Sequence, residues 1–180
     1  MSAKITPPDT LETERLLLRR PTMADAPAIF AYASDPEVTR HMLWPTHRGL
    51  ADAKEFVGLS AESWSTGQEY CWVVTVKPDP TAVGCIGTRV RGHSADLGYV
   101  VDRGHWGQGI ATEAARAVFA WVASLPGIMR IWATCDAKNA RSIKLLEKCG
   151  FSREGTLINE CVDHHGSLRD TLIYAITVKP

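Results

Sequence analysis

The sequence predicts a mixed α/β domain with one central sheet. Three observations carry that expectation. Helical patterns crowd the first third of the chain, strand patterns dominate from Tyr70 onward, and a single strand, glycine loop, helix, strand unit lies near the middle. At 180 residues, 45% hydrophobic and 22% charged, the chain is long enough for one core and short for two. One domain is expected over residues 11–178, with residues 1–10 a short extension.

Arg15 to Arg20 reads as the first strand, closed by Pro21. Thr22 with Asp25 has the form of a capping box, opening a helix through Ala26, Ile29, Phe30 and Ala33. Asp35-Pro36 pairs a cap with a first-turn proline, so a short helix is expected to about Met42. A third helix spans roughly Ala51 to Ser65 and ends at Gly67. Strands are expected over Tyr70–Val76, Ala82–Val90 and Asp96–Val101, with turns at Lys77–Pro80 and Gly92–Ser94. The glycine loop Gly104–Gly109 then opens a helix on which Ala111, Ala115, Val118, Val122 and Leu125 share one face. Ile128 to Cys135 is the next strand. Asn139 caps a helix that puts Ile143 and Leu146 inward, with Gly150 just past its end. Two strands, about Phe151–Val162 and Arg169–Val178, flank a turn at His165-Gly166.

Twenty Lys plus Arg offset twenty Asp plus Glu, which argues against a nucleic-acid or membrane-surface protein. The start of the chain has no apolar core of a secretory signal, and no stretch is long enough to span a bilayer. Five scattered cysteines without a C-x-x-C pair read as buried thiols in a reducing cytoplasm rather than a disulfide framework or zinc site.

The loop Trp106-Gly107-Gln108-Gly109-Ile110-Ala111-Thr112 suits anion binding, because glycines admit close approach and a helix N-terminus presents unpaired N–H groups. A P-loop is excluded, since no Gly-Lys pair exists. A dinucleotide loop wants a small residue where Thr112 stands and a βαβ unit near the chain start, where helices lie instead. The remaining candidate is the pyrophosphate of coenzyme A.

Asp96 to Asp102 followed by Trp106 to Ala114 resembles the acetyl-CoA motif of the GNAT acetyltransferases, and within them the ribosomal-protein N-acetyltransferase branch. Asn139-Ala140-Arg141-Ser142, Gly150-Phe151 and Glu154-Gly155 are similar to that branch's second motif. Glu12 to Arg19 and Arg169 to Tyr174 are similar to its ends, so the resemblance runs from about Leu11 to Ile176. Trp106 and Arg103 stand where the superfamily often has other residues.

The resemblance implies a mostly antiparallel sheet with one splayed parallel pair, flanked by helices, and acetyl-CoA as co-substrate without a metal. It implies that Val101 pairs with pantetheine, that Trp106, Gly107, Gln108, Gly109, Ile110, Ala111 and Thr112 form the pyrophosphate loop, and that Asn139 reaches the cofactor or simply caps its helix. Ser142 is the candidate that stabilises the departing thiolate through its hydroxyl and the helix dipole, with a plain first-turn serine as the alternative. Asp96 and Glu160 are the candidate bases, each alternatively a solvated strand residue, and a water chain is a third route. Arg40, His41, Trp44 and Pro45 lie where relatives build the acceptor pocket; Trp44 is equally a core filler.

The acceptor expected is a primary amine: a protein N-terminal α-amine, whose pKa near ~8 makes it easier to deprotonate than a lysine at ~10, or a small amine such as an antibiotic, polyamine or amino acid. A non-catalytic acyl-CoA sensor is the reading from another class, and monomer and homodimer both stand open. Cys161, Asp163, His164 and His165 invite a metal or cysteine-hydrolase reading, but neighbours on a strand point to opposite faces and no second ligand pair or elbow motif accompanies them.

Overall fold

The computed structural model describes residues 5–164 and 166–178. Residues 1–4 of the expected extension, and His165 of the expected turn and metal cluster, lie outside the described residues. Among the described residues the strands are β1 (Thr10–Glu12), β2 (Leu16–Arg19), β3 (Tyr70–Val76), β4 (Ala82–Arg91), β5 (Ser94–Val101), β6 (Arg130–Asp136), β7 (Ser152–Val162) and β8 (Leu168–Thr177). They form one sheet in the order β1-β2-β3-β4-β5-β6-β8-β7. Every neighbouring pair is antiparallel except β5 and β6. The expected mixed sheet with one parallel pair is what the chain forms.

The parallel pair is short. Its register runs from Ser94↔Arg130 to Asp96↔Trp132 and stops there. Beyond it β5 continues to pair with β4 and β6 with β8, so the carboxyl halves of the two strands part. A gap opens in the middle of the sheet.

Helices cover both faces. On one, α4 (Ile110–Ala123) and α5 (Ala140–Lys148) pack over the inward residues of β5 and β6, namely Ala95, Leu97, Ile131 and Ala133. The buried stripe of α4 is Ile110, Ala114, Val118 and Val122 with Ala115 beside it. That is one residue round from the expected face, because the spacing i, i+4 starting at Ile110 leans toward the sheet while Ala111 is only half-buried. Val118 and Val122 are fully buried, each worth about 1.5–3 kcal/mol. On the other face α1 (Ala26–Ala33) and α3 (Leu50–Thr66) pack on Cys71, Val73 and Cys85, and the short α2 (Pro36–Thr39) follows α1.

Local signals account for the ends. Asp25 accepts from the Thr22 N–H at 2.8 Å and hydroxyl at 2.9 Å, opening a 3₁₀ turn ahead of α1. Asp35 Oδ1 accepts from the Glu37 N–H at 2.8 Å, but α2 ends at Thr39 rather than continuing to Met42. Gly67 closes α3 at a φ of +72°, as a left-handed C-terminal residue should. Two features escaped the sequence reading. The three-residue β1 carries too little pattern to register, and β8 inserts between β6 and β7, leaving β7 at the edge.

Candidate active site

Strand alternation decides what lines the gap. The Asp102 N–H donates to Val83 on β4, whereas the His93 carbonyl accepts from Met129 and Arg130 at the start of β6. Odd-numbered residues of β5 therefore turn their backbone groups toward β6 and even-numbered ones toward β4. Past Asp96 this aims the main chain of Leu97, Tyr99 and Val101 into the gap, where β6 no longer pairs with it. Open backbone of this kind suits an extended amide-bearing chain. One group is already engaged, because the Val101 carbonyl accepts the Trp106 indole proton at 2.8 Å.

At the carboxyl end of β5 the chain makes a 3₁₀ turn over Arg103–His105 and enters α4 through two left-handed glycines, Gly107 at φ +77° and Gly109 at φ +80°. Other residues pay about 1–2 kcal/mol for that conformation. The first α4 hydrogen bond is Glu113 N–H to Gly109 carbonyl, so the N–H groups of Ile110, Ala111 and Thr112 have no acceptor within the helix. With the positive end of the helix dipole behind them, they form an anion cradle. Gln108 turns its side chain away, donating to the Gly104 carbonyl at 2.9 Å.

Two arginines that the sequence reading did not assign to the cradle stand beside it. Arg15 donates to the Gln108 carbonyl at 3.1 Å and is held by Glu113 at 2.6 Å. The Arg141 guanidinium lies 4.2 Å over the Trp106 ring, linking the start of α5 to the loop.

α5 starts at the Asn139 cap, whose Oδ1 accepts from the Ser142 N–H at 3.1 Å. Ser142 is buried in the first turn with its Oγ 2.7 Å from the Tyr99 hydroxyl. Burial pushes the Tyr99 phenol well above its ordinary range, against the pull of that hydrogen bond, so Tyr99 stays protonated. The neighbouring Cys135 thiol is likewise pushed up by burial, while Ser142 draws it back.

The structure does not bring the candidate carboxylates to Ser142. Asp96 points to the opposite sheet face, 8% exposed, where it accepts from the Arg89 N–H at 3.1 Å and Nε at 2.9 Å. It lines a small cavity of about 160 Å³ with Glu69, Gly98, Trp132 and Thr134. Glu160 is exposed on β7 and accepts from the Thr171 hydroxyl at 2.8 Å. Trp44 packs against the core of the α1–α3 face and tilts on His47, the bland alternative it was given. Cys161 lies 3.7 Å from the Thr171 hydroxyl, and among the described residues no three potential ligands cluster to hold a metal.

The larger cavity, about 590 Å³, sits outside the carboxyl end of β6, lined among others by Arg40, His41, Asp136, Asn139, Arg141 and Arg169. Such crevices at the carboxyl ends of parallel strands are where open α/β sheets take ligands. Arg169 organises its floor: it pairs with Asp136 and with Asp163 (2.6 Å), and donates to the Arg40 carbonyl at 2.7 Å. Burial works against the Asp136 charge, but the Lys138 N–H, His41 and Arg169 hold its carboxyl below the usual range. Sequence reasoning placed Arg40 and His41 here and missed Asp136 and the role of Arg169.

An open mixed sheet, a splayed parallel pair and a glycine-entered helix at its mouth define the acyl-coenzyme A transferase architecture. Residues 15–152 match the acetyltransferase (GNAT) domain family. The chain is 33% identical over 173 residues to the uncharacterized N-acetyltransferase YoaA of Bacillus subtilis, covering 94% of this chain and 97% of that one. A GNAT-family acetyltransferase structure from Bacillus anthracis superposes with a TM-score of 0.83 at 26% identity, covering 95% of this chain and 99% of that one. The ribosomal L7/L12 α-N-protein acetyltransferase RimL, solved with coenzyme A, shares the fold with a TM-score of 0.84 at 18% identity, covering 94% and 98%. The chain belongs to the GNAT acetyltransferase family. It is an acetyl-CoA-dependent N-acetyltransferase. Among the described residues no helix is long and apolar enough to cross a membrane.

Proposed function

We propose that this enzyme acetylates the α-amine of a protein or peptide N-terminus in the cytoplasm. The observation that carries the reading is the 590 Å³ cavity at the carboxyl end of β6, joining the α5 N-terminus to the His41–Asp136 pair. It is large enough for the first residues of a chain. The L7/L12-acetylating relative of like fold is in keeping with this.

In this reading the amides of Gly107 to Thr112, with Arg15 and Arg141 nearby, hold the coenzyme's pyrophosphate, and their left-handed glycines fit it. The Tyr99 and Val101 N–H groups pair with the pantetheine arm and orient the thioester at the gap. Trp106 walls the entrance, and Asn139 fixes the start of α5. Ser142, its lone pair held by the protonated Tyr99 hydroxyl, supplies a proton to the departing sulfur at the positive end of α5. Asp96 is saturated by Arg89, and Glu160 does not line the cavity, so neither carboxylate is placed against the amine.

A second reading has one observation in its favour. Lys138 and Arg141, both on the cavity wall, pair with no carboxylate among the described residues, which suits a small amine carrying an acid group. Incubation with labelled acetyl-CoA, cell extract and a panel of small amines, followed by mass spectrometry, decides between them: label on protein N-termini supports the first reading and label on small acids the second. Coenzyme binding without acceptor-dependent thiol release would make the chain a sensor and overturn both.

A further inference from the structure

We propose that His41 is the base that takes the proton from the acceptor ammonium, with Asp136 and Arg169 as its positioning residues. The inference rests on the transferase reading above and deepens it. His41 follows α2, and its Nδ1 lies 2.9 Å from Asp136 Oδ2. Asp136 is anionic, held there by the Lys138 N–H and Arg169, so Nδ1 carries the proton and donates. Nε2 is then the atom with a free lone pair, on a ring that lines the larger cavity together with Asn139 and Arg141. Arg169 fixes both ends of the arrangement: its guanidinium reaches Asp136 on β6 and the Arg40 carbonyl next to His41 in the chain.

The charged groups facing this ring come from each surrounding element. Asp136 stands on β6, Arg169 on β8, Asp163 in the β7–β8 connection, Arg40 beside it, and Lys138 and Arg141 at the entrance to α5. The step balances simply. Nε2 accepts one proton from the ammonium, the freed nitrogen lone pair forms a bond to the thioester carbon, and the carbon–sulfur bond breaks. Ser142 gives the departing sulfur its proton and regains one from the second proton lost by the new amide's nitrogen, while the imidazolium of His41 releases the first to solvent.

The test is a pH profile of kcat/KM for the acceptor, run on wild type, His41→Gln and Asp136→Asn with peptides beginning in serine, alanine or methionine. Coenzyme A affinity and circular dichroism are measured on the same preparations. Wild type should show an acidic limb. His41→Gln should lose about 10²–10⁴-fold at neutral pH, lose that limb, and regain part of the rate with added imidazole, while binding coenzyme A as before. Asp136→Asn should lose less and move the limb to lower pH, because the imidazolium has lost its anion. A His41→Gln profile superimposable on wild type overturns the assignment and leaves the transferase reading standing. If His41→Gln fails to fold, an unmoved limb in Asp136→Asn overturns it instead. Wild type that binds coenzyme A and acetylates no amine overturns the reading on which it rests.

Discussion

Ser142→Ala separates the catalytic role of that hydroxyl from its structural one. The Ser142 Oγ sits 2.7 Å from the partly buried Tyr99 hydroxyl. Removing it leaves the phenol without that partner, which costs about 1–3 kcal/mol. At about 2–4 °C per kcal/mol for a chain of this size, melting should fall by roughly 2–12 °C. Catalytically, losing the proton donor for the thiolate should lower kcat by about 10²-fold, while coenzyme affinity holds within about threefold, because the pyrophosphate cradle is on α4 and untouched. Tyr99→Phe supplies the control. In the double variant both partners are apolar, so part of the melting loss should return while kcat stays low. Calorimetric coenzyme binding, thermal melts and thiol-release kinetics on the three variants complete the cycle. Unchanged kcat in Ser142→Ala would show that the pair only satisfies buried polar atoms, and kcat falling in step with coenzyme affinity would move Ser142 into the binding site.

Gly109→Glu should abolish measurable acetyl-CoA binding: the position needs a φ of +80°, and the carboxylate would enter the anion cradle beside Arg15. Isothermal calorimetry with an unchanged Kd would refute the cradle. Arg141→Ala should weaken coenzyme binding about 2–5-fold, the value of an exposed cation over an aromatic ring. The loss should shrink as salt rises; a salt-independent loss would point to packing on Trp106 instead of charge.

What the sequence made legible is what is encoded locally. Asn139 caps α5 by bonding three residues ahead, and the two glycines of the cradle stand two apart in the chain, so both follow from short windows. Asp96 shows where that reach ends. Its place two residues before Gly98 invited a catalytic role, but its partner is Arg89, which the β4–β5 register sets directly across from it. Only the hairpin pairing, not the spacing, reveals that ion pair. The dyad lies further out of reach: His41 and Asp136 are 95 positions apart, and Arg169 reaches back 129 to Arg40. β8 must insert between β6 and β7 before Arg169 can stand beside Asp136, and no hydrophobic pattern specifies that order.

The same arginine holds β6 on the side of the gap away from β5. Past Trp132 nothing in β5 pairs with β6, so the width of the gap is not set by a ladder. On its other side β6 is fixed by β8 up to Asp136↔Thr171, and at that last step Arg169 clamps Asp136 and Asp163 and reaches across to Arg40. The guanidinium is 13% exposed and the two carboxylates 6% and 5%, so this is a nearly dry three-charge cluster. Arg169→Met would leave two buried carboxylates without their cation, a loss of about 3–5 kcal/mol. The pH dependence has a fixed sign. Asp136 is depressed in the folded protein, so its stabilising effect is complete above the unfolded carboxylate pKa and is lost as pH falls through the lower folded value. The deficit of Arg169→Met measured by urea unfolding should therefore be largest near neutrality and narrow through the carboxylate range, where protonation removes the charge the arginine had balanced. A deficit that stays constant across that range would mean the arginine stabilises by packing alone.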